Sequence, residues 1–298
     1  MSKINRNFKA SVFTHLFGEP AKELELYNAF SQKQYPPETS VVDLTLTNTL
    51  YMDQVNDLSF CIGGKLVVFF EHQSSINENM PLRDLLYCGR VYEKLIDNAA
   101  MFSVKRVTIP TPEFYVLYNG IRPFPDKAVY RLSDSFAQPS VGENSLELIV
   151  NIFNVNKGYN DEIIKRSQYL QGYVTFVAKV RDYERSGLPR SMAVEKAIKE
   201  CIEEGILADY LRKSGSEVSN MLLHEWNMED AKIVWQQEAR EEGKEEGKEI
   251  GKEIGKKIGE QLGKKLGEER SDLKWKSIIA EKDAQIAELQ ARLANSKS

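Results

Sequence analysis

The sequence predicts an α/β fold: a mixed sheet flanked by helices, then a helical subdomain, then a long charged C-terminal helix. Three patterns predict it. LVVFF (66–70) and EFYVLYNG read as β-branched and aromatic strand runs. NMPLRDLLYCGRVYEKLIDN between them reads as an amphipathic helix. From about Asn160 the apolar residues recur at helical spacing.

In chain order, NFKASVFTHLFGEPAKELELYNAFSQKQ carries a helical apolar pattern broken at Gly18 and Pro20, which predicts two short helices. TSVVDLTLTNTLYMD is rich in β-branched residues and reads as a strand, and NDLSFCIGGKLVVFFEHQSS as two strands around a glycine pair. The unbroken apolar run Leu66–Phe70 predicts a central strand buried on both faces. In the following helix Pro81 suits the first turn, and Leu82, Leu85, Leu86 and Tyr92 are expected on or near its buried side. Further strands are expected at EFYVLYNG, AVYRLSDSF and SLELIVNIFNVN. Helices are expected through SQYLQGYVTFVAKVRDYERS, PRSMAVEKAIKECIEEGILADYLRKS and SEVSNMLLHEWNMEDAKIVWQQEA. The expected divisions are a core at 1–158, a helical subdomain at 159–239, a spacer at 240–270 and a short coiled coil at 271–298.

The spacer reads GKEEGKEIGKEIGKKIGEQLGKKLGEER, with a glycine every fourth residue from Gly243 to Gly267. On a helix such a stripe drifts about 40° per repeat, so it makes no flat seam. Lys and Glu at helical spacing favour helix, and each glycine opposes it by about 1 kcal/mol relative to Ala. The dense charge excludes a membrane-helix reading of its G-x-x-x-G spacing. Beyond it, Ile279, Ile286 and Leu293 share one heptad position, and Trp275, Lys282 and Leu289 the other. Residues 271–298 are thereby read as a weak parallel coiled coil and a candidate homodimer contact, the alternative being a frayed single helix.

The formal net charge of −4, from 40 basic and 44 acidic residues, gives no broad attraction for nucleic acid, so any such contact must be local. Cys61, Cys88 and Cys201 have no paired spacing, which predicts a reducing, cytoplasmic setting. The N-terminus lacks a signal-peptide core, no apolar run is long enough to span a bilayer, and no membrane association is expected. His15, His72 and His224 lack zinc-ligand spacing, and no Walker loop is present.

A candidate constellation for chemistry lies around the glycine pair, though its spacing alone also occurs by chance in β-hairpins. Glu71 and Gln73 are two apart on a predicted strand and share a face, while His72 points to the other. Asp57 lies fourteen residues before Glu71. Two converging carboxylates repel, and burying them costs several kcal/mol unless a cation or hydrogen bonds compensate. A hard divalent ion such as Mg²⁺ would serve. Register provides a test. A two-residue turn pairing Ile62 with Lys65 would set Asp57 opposite Phe70, facing away from Glu71; a three-residue loop, Gly63-Gly64-Lys65, would pair Ile62 with Leu66 and set Asp57 opposite Glu71. The bland alternative is two solvated carboxylates at a sheet edge.

The run NTLYMDQVNDLSFCIGGKLVVFFEHQSSINENMPLRDLLYCGRVYEKL resembles the core of the recombination-promoting nuclease family, also described as PD-(D/E)XK nuclease family transposases. The similarity extends to NFKASVFTHLFG and to AIKECIEEGILADYLRKSGSEVSNML with the tail that follows. The resemblance implies a restriction-endonuclease-like core at 1–158 that cleaves DNA with Mg²⁺, or another divalent ion such as Mn²⁺, in recombination or transposition. Asp57 then matches the acidic residue of the second core strand, and Glu71-His72-Gln73 the E-x-K element of the third. Gln73 departs from the wider superfamily's lysine, though glutamine is usual in this branch, and would orient water instead of supplying charge. Asp57, Glu71 and the His72 carbonyl would hold the metal. Arg83 and Arg90, seven apart on the next helix with Tyr87 between, are candidates to hold a DNA phosphate, the alternative being surface arginines in ion pairs. Two rival readings are a catalytically silent DNA-binding or protein-interaction module of the same fold, and a coiled-coil adaptor.

Overall fold

The computed structural model describes residues 11–31, 33–46, 56–97, 99–138 and 145–295. The body, within residues 1–227, is built on a six-stranded open sheet. Its strands are β1 (Val41–Asp43), β2 (Leu58–Ile62), β3 (Leu66–Gln73), β4 (Thr111–Tyr118), β5 (Lys127–Arg131) and β6 (Ile149–Asn154), in the spatial order β1-β2-β3-β4-β6-β5. The central pairs β3–β4 and β4–β6 are parallel, and the outer pairs are antiparallel. The sheet is therefore mixed, as its sequence predicts. The predicted strand at 39–53 is realised at Val41–Asp43, and residues 47–53 of it lie outside the described residues.

Helices α1 (Val12–Phe17), α2 (Pro20–Phe30), α4 (Asp161–Ile164), α5 (Gln168–Arg185) and α6 (Arg190–Glu203) account for most of the remaining body, and α3 (Met80–Leu95) makes the crossover from β3 to the parallel β4. Ser11 caps α1 by accepting the Thr14 N–H at 3.2 Å, Gly18 ends it, and Pro20 opens α2 with the φ it already favours. The alternation of β3 distributes its apolar run over two cores. Leu66, Val68 and Phe70 pack with α1, α2 and α5, while Val67 and Phe69 pack with Met80, Tyr87 and Val91 of α3. Burying each such side chain contributes about 1.5–3 kcal/mol, which is why this strand lies inside the sheet.

One expectation is corrected on α3. Leu82 and Leu86 are 46% and 44% exposed, and the buried stripe runs Met80, Asp84, Tyr87, Cys88 and Val91. The stripe contains a carboxylate, so apolar spacing alone places the inner face about one residue off.

Residues 208–295 form one continuous helix, α7 (Ala208–Asn295), whose first turns belong to the body through Leu211, Val218, Leu222 and Trp226. The stretch read as a spacer and most of the stretch read as a coiled coil are helical within it. In the unit 228–298, Ile250, Ile254, Ile258, Leu262 and Leu266 are each about half exposed, as are Ile279, Ile286 and Leu289. A Cβ added at any glycine from Gly243 to Gly267 would meet nothing within 4 Å. Packing within this chain therefore does not require those glycines. The side chain of Leu293 lies outside the described residues.

Candidate functional site

The turn between β2 and β3 decides the site. Gly63 and Gly64 have φ of 56° and 67°, the left-handed region that glycine enters without strain. The Lys65 N–H closes on the Ile62 carbonyl at 3.1 Å, and Ile62 pairs with Leu66. This is the three-residue loop, and the ladder it sets runs down to Leu58 opposite Phe70. The next residues, Asp57 and Glu71, therefore face each other.

Two hydrogen bonds fasten them. The His72 N–H donates to Asp57 Oδ2 at 2.7 Å, and the Asp57 N–H donates to Glu71 Oε1 at 3.2 Å. Arg83, one turn into α3, reaches Glu71 Oε2 with Nη2 at 3.3 Å. The Tyr87 hydroxyl accepts from Arg83 Nε at 3.2 Å and Nη2 at 2.8 Å, holding the guanidinium against the carboxylate. Glu71 is buried at 3% exposure, whereas Asp57, Gln73 and Arg83 are only half-buried. Gln73 lies on the Glu71 side of β3, where its Nε2 reaches Met80 Sδ at 2.6 Å.

Electrostatics make this a high-energy arrangement. Burial holds the Glu71 carboxyl well above the usual carboxylate range, and the charges of Asp57 and Asp84 push the same way against Arg83. Burial raises Asp57 too, opposed by the His72 N–H and by Arg83. Asp84, 1% exposed, is pushed up to about 7 by burial, and its Oδ1 accepts no hydrogen bond among the described residues. Three carboxylates thus share the influence of one guanidinium.

Helical and strand periodicity placed Asp57, Glu71 and Gln73 but missed Asp84, because an acidic residue amid an apolar pattern reads as a solvated position. Two residues sit differently from the expectation for a phosphate-binding face. Tyr87 is buried at 2% exposure, and Arg83 turns inward to Glu71. Arg90 is half-buried two turns along α3 from Arg83.

The opposite side of the strand has a different chemistry. The His72 imidazole stacks on Phe13 with ring centroids 4.9 Å apart, and its Nε2 lies 3.1 Å from the Tyr173 hydroxyl. That hydroxyl accepts from Asn119 Nδ2 at 3.3 Å. Burial, helped by the positive charge of Arg181, pushes the imidazole down to about 3, so it is neutral at physiological pH. The main chain of His72 serves the Asp57 side while its ring belongs to the other core.

The donors are of the oxygen type that hard cations take. Asp57 and Glu71 offer carboxylate oxygens, and a divalent charge would relieve the repulsion that burial magnifies. Among the described residues no three of His, Cys, Asp and Glu converge as a ready cage. A pair of carboxylates suits an ion such as Mg²⁺, which usually retains several waters. No helix of the described residues is long and apolar enough to cross a membrane. No protein-family model, curated protein or solved structure matches the chain.

Proposed function

We propose that the Asp57–Glu71–Gln73 side of β3 is the active site of a divalent-metal-dependent DNA endonuclease on a restriction-endonuclease-like core, of the recombination-associated kind that the sequence resembles. The observation that supports this best is the three-residue Gly63-Gly64-Lys65 turn. Its register sets the half-buried Asp57 carboxylate against the buried one of Glu71, where a sheet gains no stability from them.

In the hydrolysis proposed, a water oxygen bonds to phosphorus, the bond from phosphorus to the leaving sugar oxygen breaks, and that oxygen takes up a proton. Mg²⁺ or Mn²⁺ held by Asp57, Glu71 and the His72 carbonyl would polarise the phosphate and lower the pKa of the water. Arg83 fixes the Glu71 carboxylate in orientation through its contact at 3.3 Å. Gln73 offers an amide that donates and accepts hydrogen bonds, suited to orienting a water but unable to neutralise charge as lysine would.

One observation favours the rival reading of a silent binding module. Both Glu71 oxygens are already engaged by protein donors, the Asp57 N–H and Arg83. Plasmid cleavage separates the two readings. The nuclease reading expects nicking or linearisation with Mg²⁺ or Mn²⁺ that EDTA stops and that folded Asp57→Asn and Glu71→Gln variants lack. Absence of cleavage across supercoiled, linear and single-stranded DNA, or cleavage unchanged in both variants, favours the silent module.

A further inference from the structure

Beyond the end of β4, the sheet opens into a cleft of about 410 Å³ that the carboxylate site does not use. Its walls are the segment after β4, from Asn119 to Phe124, the end of β6 at Asn154 with the residues that follow to Tyr159, and the face of α5 that carries Tyr173 and Arg181. The carboxyl ends of parallel strands are where open α/β sheets form crevices for ligands.

Its charged lining is Arg122, Lys157, Arg181 and Arg185 against Asp182, so four cations meet one anion in a chain whose net charge is −4. Asp182 is paired with Arg185 at 2.9 Å, which leaves the remaining lining charge wholly positive. Arg181 is built into the floor. Its Nη1 donates to Asn156 Oδ1 at 2.7 Å, its Nη2 donates to the Asn119 carbonyl, and its guanidinium lies over the Trp226 ring at 5.8 Å. Arg122 and Lys157 stand exposed on the two rims. The Arg122 rim is anchored, since its carbonyl accepts the Tyr118 hydroxyl at 2.8 Å. Beside the cations the rims carry Tyr159, 36% exposed, and Ile121, 80% exposed. A hydrogen-bonded cation and two exposed ones, flanked by exposed flat or apolar groups, suit a nucleic-acid strand better than a bare phosphate, because bases need a surface to lie against.

The cleft adjoins the carboxylate site. Gln73 pairs with Tyr118, and the next residue, Asn119, donates its N–H to the Gln73 carbonyl at 2.9 Å. Asn119 also joins the cleft to the His72 ring through Tyr173. Gly120 permits this closeness, for a Cβ there would lie 1.9 Å from the Ser74 carbonyl oxygen. Phe124 packs with the α3 side of the sheet, and Val174 and Val177 with the α5 side, so the cleft straddles the sheet end instead of lying on one face.

We infer that this cleft binds the sugar-phosphate backbone of the nucleic-acid strand next to the scissile bond, with Arg122, Lys157 and Arg181 on phosphates and Tyr159 against a base. The inference rests on the proposed phosphodiesterase reading of the neighbouring carboxylates. It gives this acidic protein the local cationic surface that its overall charge does not supply.

The test is fluorescence anisotropy of a labelled single-stranded oligonucleotide against the full-length protein in EDTA, over a salt series. The variants are the double Arg122→Ala/Lys157→Ala, Tyr159→Ala, and Lys65→Ala, which removes an exposed cation from the β2–β3 turn. All are at exposed positions, and unchanged circular dichroism verifies their fold. The double variant is expected to weaken binding at least about tenfold and to lower the slope of log K against log salt by about 1.4, about 0.7 per phosphate contact on a single strand. Tyr159→Ala is expected to weaken binding with the slope unchanged, and Lys65→Ala to stay within about twofold. An unchanged affinity and slope in the double variant overturns the inference, as does an equal loss in Lys65→Ala. If wild type cleaves plasmid while the double variant binds and cleaves normally, the cleft assignment falls and the nuclease reading stands. If the oligonucleotide does not bind but adenosine monophosphate stabilises wild type and not the double variant, the cleft takes a small phosphate ligand and the strand assignment falls.

Discussion

The two sides of β3 are one residue apart in sequence and opposite in chemistry. On the Glu71 side, burial concentrates negative charge from Asp57, Glu71 and Asp84 around a single Arg83. On the His72 side, a neutral imidazole sits between Phe13 and Tyr173 within a hydrogen-bonded network ending at Arg181. The same strand thus carries a side that costs stability unless a cation or proton relieves it, and a side already satisfied by its own partners. Strained, under-compensated groups mark function more often than satisfied ones do.

The most drastic way to break this contrast is to change the turn. Inserting one glycine beside Gly64, with the three-residue loop retained, pairs Ile62 with Lys65, sets Asp57 opposite Phe70 and turns the β2 side chains to the wrong face. Cleavage should fall to background, and chemical denaturation should show a loss of several kcal/mol.

Next in size is the response to pH without metal. A carboxyl whose folded pKa lies above its unfolded value binds more protons when folded, so stability falls as pH rises from the unfolded pKa to the folded one. For Asp84 that window runs from about 4 up to about 7, and at about 1.4 kcal/mol per unit its ceiling is near 4 kcal/mol. Asp84→Asn in EDTA should therefore narrow the stability gap between pH 5 and pH 8, as read by urea unfolding. His72 has the opposite sign. Its folded pKa of about 3 lies below the unfolded value, so its contribution is present above about 6.5 and is lost as pH falls towards 3. His72→Gln should flatten the acid limb alone.

A smaller effect is expected from metal. Mn²⁺ at a hundred times its dissociation constant should stabilise wild type by about 2.7 kcal/mol, and more at pH 8 than at pH 5, because protons compete for the same oxygens. Thermal unfolding of Asp57→Asn should show little of this gain, and His72→Gln should retain it. Equal gains in both variants would place the ion elsewhere.

Much of this was legible in the sequence because strand periodicity is strict. Once Gly63 and Gly64 mark a turn, the choice between two and three residues decides which side Asp57 takes, and alternation then places Glu71, His72 and Gln73 without further information. Asp84 was not legible, since its burial depends on how α3 settles over β3, and polar residues carry no apolar signal. The Arg181–Asn119–Tyr173–His72 network was hidden for another reason: its members come from three elements more than a hundred residues apart at the extremes. For α7, the spacing of Lys and Glu favoured helix while the glycine every fourth residue opposed it, and the stretch is helical.

The most direct measurement is single-turnover cleavage of a labelled duplex by wild type, Glu71→Gln and His72→Gln, each with saturating Mn²⁺ and verified fold. Interactions that stabilise charge in phosphoryl transfer contribute several kcal/mol, so Glu71→Gln should lower the rate about a thousandfold, while His72→Gln should change it by less than about tenfold. Equal losses in the two variants, or an unimpaired Glu71→Gln, would contradict the assignment of chemistry to the acidic side of β3.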